Sequence, residues 1–245
     1  HDFYTYVLMG DSECTEGSIW EAAELAHYYQ ASRLCAIVDL NGLGQTGSTI
    51  DGHSAERLGN KFEAFGWQVI IINGHDVSQI AEACDLAQQE KTRPSVIIAK
   101  TFKGYGIDLC EDKNNYHGKA FKPEQLDEVL QKLKERFHSA AVSAPMIVQQ
   151  HLPYKIDTLP PPVPQNFTIP LPMLTEPIAT RKAYGMALAA AGKLCKQIVA
   201  LDAEVKNSTF ANLFETEHPN RFFQCFIAEQ NMVGVAAGMA ACGKV

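Results

Sequence analysis

Asp11 and Asn41 each close a short apolar run, in Tyr6-Val-Leu-Met-Gly-Asp11 and in Cys35-Ala-Ile-Val-Asp-Leu-Asn41, and they stand 30 positions apart. That separation accommodates one helix between two parallel strands, which brings both side chains out at the same carboxyl edge of a sheet. A carboxylate and an amide oxygen meeting there suit Mg²⁺, a hard cation that takes oxygen ligands and is often completed by phosphate oxygens. The spacing therefore predicts a metal-bridged diphosphate group.

Glycines support the same chemistry. Gly10 and Gly17 flank Asp11, Ser12 and Glu13, while Gly42-Leu43-Gly44 follows Asn41; such residues let backbone approach a phosphate, and a helix starting near Ser18 offers its positive end. Each half alone fits a tight turn with a capping Asp, or an unrelated Asn turn, better than a metal site; the two together at strand ends favour the ion. No G-x-G-x-x-G follows the first strand, so a dinucleotide site fits poorly.

Two further stretches carry chemistry. Ala99-Lys-Thr-Phe-Lys-Gly-Tyr-Gly106, running on to Asn115-Tyr-His-Gly-Lys119, begins at a strand end and reads either as a phosphate-approach loop or as a solvated basic loop. His117 adds a group that titrates near neutrality. His53 and His75 both sit in Gly-His turns and are expected at the surface, outside the site. In Ile227-Ala-Glu-Gln-Asn-Met232, Glu229 lies where an apolar strand meets an apolar helix. It is expected to be substantially buried and fit to share a proton with a heteroaromatic nitrogen, or else to be a helix N-terminal carboxylate held by backbone donors.

The elements that must position these residues alternate. Strands are expected over 5–9, 34–40, 68–73 and 95–100, with helices over 18–29, 54–65, 77–89 and 123–137. This rhythm predicts an α/β fold with a doubly wound parallel sheet in residues 1–138. Residues 139–177 hold nine of the twelve prolines and read as an extended linker. From 178 the rhythm resumes, with helices over 180–194 and 230–241 and strands over 197–202 and 222–227. Two strands are few for such a sheet, so this unit, 178–245, is expected to be incomplete.

Bulk composition narrows the partners. A net charge of −7 disfavours nucleic acid and acidic membrane surfaces. No apolar run reaches the roughly 18–20 residues that span a bilayer. Seven scattered cysteines without a C-x-x-C pair read as small core residues of a reducing, cytoplasmic setting. Both ends look cut from a longer protein.

Taken together these segments resemble transketolase, a thiamine diphosphate-dependent family. Gly10-Asp11 with Asn41 is similar to the cofactor motif of the superfamily. Glu16-Gly-Ser-Ile-Trp-Glu21, Glu63-Ala-Phe-Gly-Trp67, Ala99-Lys-Thr-Phe-Lys-Gly104, Tyr116-His-Gly-Lys119, Ile178-Ala-Thr-Arg-Lys-Ala-Tyr-Gly185, Lys206-Asn-Ser-Thr-Phe210 and Ala228-Glu-Gln-Asn-Met232 look like transketolase in particular. The resemblance runs over nearly the whole chain and weakens only in the linker.

The resemblance implies thiamine diphosphate with Mg²⁺ (or Ca²⁺) as cofactors, the ion held by Asp11, Asn41 and the backbone carbonyl of Leu43. Ser12 would touch the diphosphate through its backbone, and Lys103 would belong to the cofactor-side wall. His117 would contact the diphosphate or the reacting substrate, Glu229 the aminopyrimidine as the catalytic proton carrier, and Arg181 with Ser208 the substrate phosphate. The implied reaction moves a two-carbon ketol unit between sugar phosphates in the pentose phosphate pathway. The implied assembly is a homodimer whose sites lie at the subunit interface, between a diphosphate-binding domain and a pyrimidine-binding domain. A segment of this length is expected to bind cofactor weakly and turn over little. Three positions depart from the family pattern: Ser12 for Gly, Ala203-Glu204 for Gly-Asp, and Tyr105 for Arg. The alternatives are a non-catalytic or truncated transketolase paralogue, and another thiamine diphosphate-dependent sugar-phosphate synthase.

Overall fold

The computed structural model describes residues 3–136, 168–169 and 176–245. The chain forms two compact units, His1–Ile147 and Val148–Val245. Nearly all of the expected linker lies outside the described residues.

The first unit holds a four-stranded sheet of β1 (Thr5–Gly10), β2 (Leu34–Leu40), β3 (Gln68–Asn73) and β4 (Ser95–Lys100). All pairings are parallel and the order is β1-β2-β4-β3. Helices α1 (Gly17–Tyr28), α2 (Ala55–Ala64) and α3 (Val77–Gln89) make the crossings, and α4 (Pro123–Arg136) follows. Alternating side chains of the central strands feed two cores. Ala36, Val38, Val96 and Ile98 pack with Ala23 of α1 and with Leu58 and Phe62 of α2, whereas Cys35, Ile97 and Ala99 pack with Ala83 and Ala87 of α3. The strand order explains this division. Two crossings run one way along the sheet and the third returns, and a fixed crossover hand puts the returning helix on the opposite face. The sheet is doubly wound, as its α/β rhythm predicts.

Local chemistry sets the helix starts. Ser54 accepts the Arg57 N–H at the head of α2, and Asp76 accepts the Ser78 and Gln79 N–H groups at the head of α3. Register then aligns the carboxyl ends. Gly10 pairs with Asp39, Asp39 with Ala99, and Ala99 with Ile72, so Asp11, Leu40, Lys100 and Asn73 form the next row at a single edge.

The second unit contains α5 (Thr180–Leu194), β5 (Ala200–Asp202), α6 (Lys206–Thr209), α7 (Asn212–Glu217), β6 (Phe222–Gln224) and α8 (Glu229–Ala241). β5 and β6 pair in parallel. Ala191, Ile198, Ala211, Phe214 and Phe222 form its core. Arg221 fastens the end of α5: its guanidinium donates to the carbonyls of Gly192, Cys195 and Ile198 at 2.7, 2.9 and 3.0 Å. Both strands are shorter than expected. A turn closed by Ile198 N–H on the Cys195 carbonyl delays β5, and the left-handed backbone of Phe226, at φ 55°, ends the β6 exit.

Candidate cofactor and metal site

Asp11 follows β1 directly and Asn41 follows β2, and both are buried. The Asp11 carboxylate accepts the Gly42 N–H at 2.7 Å and the Thr49 hydroxyl at 3.2 Å, both through Oδ2. The Asn41 Oδ1 accepts the next amide, Leu43 N–H, at 3.0 Å. The two predicted ligands thus meet on consecutive N–H groups of one turn. That turn needs Gly42, whose φ is +71° and whose added Cβ would lie 2.9 Å from the His53 ring. The turn continues into a small hairpin closed by Gly44 N–H on the Gly47 carbonyl and Thr49 N–H on the Gly42 carbonyl.

Lys103 is brought to the same turn. Its ammonium donates to the Leu43 carbonyl at 2.9 Å and lies 3.4 Å from His117 Nδ1. Leu43, Lys103 and His117 are therefore neighbours, as the spacing alone could not establish. The loop that carries Lys103 turns at Gly104, where φ is +74° and Cys110 Sγ would be 2.6 Å from an added Cβ.

Burial first, then the carboxylates of Asp11 and Glu13, push the Cys14 thiol up to about 11. Among the described residues no group of three or more His, Cys, Asp or Glu could hold a metal ion. Asp11, Asn41 and the Leu43 carbonyl are oxygen donors of the kind that a hard ion such as Mg²⁺ or Ca²⁺ takes, and the Leu43 carbonyl here accepts the Lys103 ammonium.

In the second unit, Arg181 near the start of α5 lies with its guanidinium 5.7 Å from the Phe210 ring centroid. Ser208, on α6, is exposed two positions before that ring. Glu229 is the first residue of α8 and is exposed. The burial expected of it is therefore not found. No residue of α8 is buried, so the apolar helix expected to enclose the carboxylate gives it no cover among the described residues.

Comparison with known proteins decides the family. Residues 1–152 match the model of the transketolase thiamine diphosphate binding domain, and residues 176–245 match that of the transketolase pyrimidine binding domain. The chain belongs to the transketolase family. It is 41% identical over 239 residues to rat (Rattus norvegicus) transketolase, covering 97% of this chain and 37% of the rat protein. Against bovine (Bos taurus) transketolase-like protein 2 the figures are 40% over 243 residues, 99% and 38%. The chain thus spans under two-fifths of these relatives' length. Solved structures of transketolases from Campylobacter jejuni and Leishmania mexicana share the fold, with TM-scores of 0.69 and 0.67 at 22% identity; the matches cover 99% and 98% of this chain, and 42% and 41% of theirs.

The departures from the transketolase pattern have local accounts. Ser12 has φ −63° and ψ −36°, a right-handed conformation open to any L-residue, so the turn does not require glycine there. Its hydroxyl packs toward Gly44, where an added Cβ would lie 3.3 Å away. Glu204 sits in the left-handed region at φ 65°, with its N–H donated to Gln224 Oε1 at 3.1 Å. Tyr105 stacks on His75 at 3.6 Å between centroids, and the Arg136 guanidinium lies 4.4 Å from its ring centroid.

Two neighbours of the Asp11–Asn41 turn and the Lys103 loop are not announced by the sequence. His53 lies against Gly42 and within 3.1 Å of Asp112 Oδ1. His75 Nε2 accepts the Phe102 N–H at 2.8 Å and so braces the Lys103 loop. Their Gly-His turns alone put both at the surface, outside the site. A usable signal existed for His75: it follows β3 by two residues, so it leaves the sheet at the same edge as Asp11.

Proposed function

We propose that this chain is the cofactor-binding portion of a transketolase, one that transfers a two-carbon ketol unit from a ketose phosphate to an aldose phosphate. The observation that carries the reading is the convergence of Asp11 and Asn41 on the consecutive amides of Gly42 and Leu43, within a chain whose two units match thiamine diphosphate and pyrimidine binding domains. In this reading Asp11, Asn41 and the Leu43 carbonyl hold Mg²⁺ (or Ca²⁺), and the backbone at Ser12 meets the diphosphate. Lys103 and His117 present their side-chain nitrogens on the same side, 3.4 Å apart. When bound, thiamine diphosphate supplies the nucleophilic carbon and the electron sink for carbon–carbon bond cleavage.

The remaining roles fall to the second unit. Glu229 holds and moves a proton at the pyrimidine nitrogen. Its place at the head of α8 leaves it open to a partner from outside the described residues, which agrees with a homodimer whose sites lie between subunits. Arg181 and Ser208 bind the substrate phosphate, for which a guanidinium fork and a hydroxyl are suited. Seven scattered cysteines without a C-x-x-C pair support a reducing, cytoplasmic setting.

Calorimetry with thiamine diphosphate, with and without Mg²⁺, tests the binding half. Metal-dependent heat is expected, and its absence would point to a non-catalytic paralogue. A donor screen with xylulose phosphate against pyruvate tests the chemistry. Preference for pyruvate would transfer the assignment to another thiamine diphosphate-dependent synthase.

A further inference from the structure

We infer that Asp39, backed by Thr101, is a positioning residue that turns the Asn41 amide so that its oxygen, not its NH₂ group, faces the ion. The inference rests on the metal-bridged cofactor reading above. Asp39 Oδ2 accepts from Asn41 Nδ2 at 3.2 Å, and Oδ1 accepts the Thr101 hydroxyl. The Asp39 carbonyl also accepts the Asp11 N–H at 3.2 Å, so one residue touches both predicted ligands.

The argument turns on the symmetry of an amide. Its two ends have almost the same shape and opposite hydrogen-bonding character, so packing alone cannot choose between them. An ionised carboxylate only accepts. Placed beside Asn41 it selects the NH₂ end, and the carbonyl end is left for the Leu43 N–H and for a cation. A flipped amide would aim N–H groups at the ion, which is repulsive. Thr101 completes the arrangement: it follows β4 directly, its N–H donates to the Leu40 carbonyl at 3.1 Å, and its hydroxyl holds the carboxylate from the neighbouring strand.

The test compares Asp39→Ala with Asp39→Asn in the 245-residue chain, titrating thiamine diphosphate at fixed Mg²⁺ by calorimetry and following Mn²⁺ binding by electron paramagnetic resonance. Loss of a side chain that orients a metal ligand typically costs about 10–100-fold in metal affinity, and that loss is expected for Asp39→Ala. Asp39→Asn is expected to stay within about threefold of wild type, since its amide oxygen still accepts from Asn41 and its NH₂ can donate to the Thr101 oxygen. Rescue by Asn separates orientation from charge. If Asp39→Asn is as impaired as Asp39→Ala, the carboxylate acts through its charge and the inference fails. It fails equally if Asp39→Ala binds like wild type. If wild-type chain shows no metal-dependent binding at all, the functional reading falls and takes this inference with it. Thr101→Val, which keeps the shape and removes the hydroxyl, is expected to lose a few-fold in affinity; unfolding midpoints without ligand check that each variant folds.

Discussion

The Asp11 carboxylate accepts the Gly42 N–H at 2.7 Å, a bond that spans 31 positions of sequence and ties the exit of one strand to the exit of the next. The same carboxylate is asked to ligate the ion, so its structural and functional roles can be pulled apart. Asp11→Asn keeps an oxygen for Gly42 and should lose no more than about 1–2 kcal/mol of stability, the order of one weakened buried hydrogen bond. It should nevertheless abolish the Mg²⁺ dependence of thiamine diphosphate binding. Calorimetry and urea unfolding on one preparation give both answers, and retained metal dependence would remove Asp11 from the ligand set.

Gly42 is the position where backbone conformation and packing both forbid a side chain. Ala there must adopt φ near +71° and press its Cβ to 2.9 Å from the His53 ring. A cost of about 1–3 kcal/mol is expected from a strained left-handed residue, before any clash is counted. Adding His53→Ala should recover the steric part and leave the conformational part. Strictly additive unfolding energies in this double-mutant cycle would show that the ring is not what Gly42 avoids.

Glu229 stands exposed at the head of α8, so Gln should replace it with little effect on folding. Under the proposed role, hydrogen–deuterium exchange at the reactive thiazolium carbon of bound cofactor should slow about 10²–10⁴-fold in Glu229→Gln, the usual worth of a positioned acid–base group. Proton exchange followed by NMR measures this without any sugar turnover. An unchanged rate would move the proton-carrying role elsewhere.

His75 reaches the Lys103 loop by one ring nitrogen and one stacked face. His75→Phe keeps the stacking on Tyr105 and deletes the acceptor of the Phe102 N–H. Amide exchange at Phe102 is expected to rise about fivefold, in line with loss of one hydrogen bond worth roughly 1 kcal/mol. Unaltered protection at Phe102 would mean that the loop is held by other contacts.

Burial pushes both Cys14 and Cys35 up to about 11. Their folded-state affinity for the proton exceeds that of the unfolded chain, where a thiol titrates near 8.5. Their contribution to stability is therefore complete below about pH 8.5 and is lost as pH rises toward 11. Thermal midpoints should fall between pH 8.5 and 11, and a Cys14→Ala, Cys35→Ala double variant should flatten that fall. At pH 8, Cys242, which is exposed, should react with a thiol reagent well before either of them.

The sheet was legible because its strands are apolar, β-branched and bounded by turn residues; β2, β3 and β4 start and stop where the pattern says. That Asp11 and Asn41 come together was legible for the same reason, since a parallel β-α-β unit fixes which edge both strand exits share. Short elements were not. Neither α6 nor α7 is long enough for a helical period to emerge, and β6 stops early because Phe226 takes a left-handed conformation that no local signal announces. Glu229 was misjudged because an Ala- and Gly-rich helix suggests enclosure without saying what would do the enclosing. His53 and His75 were discounted because a Gly-His turn looks the same in sequence whether the ring faces water or folds back over a neighbouring strand exit.

Leu40 lies between Asp39 and Asn41 and is fully buried in the layer beneath α2. The proposed grip on an ion is thus moored in oil: shaving methyl groups from this leucine would slacken the two polar residues on either side of it. Any random library sorted for weak cofactor retention should yield greasy positions alongside charged ones, and a mutation there would masquerade as a ligand defect.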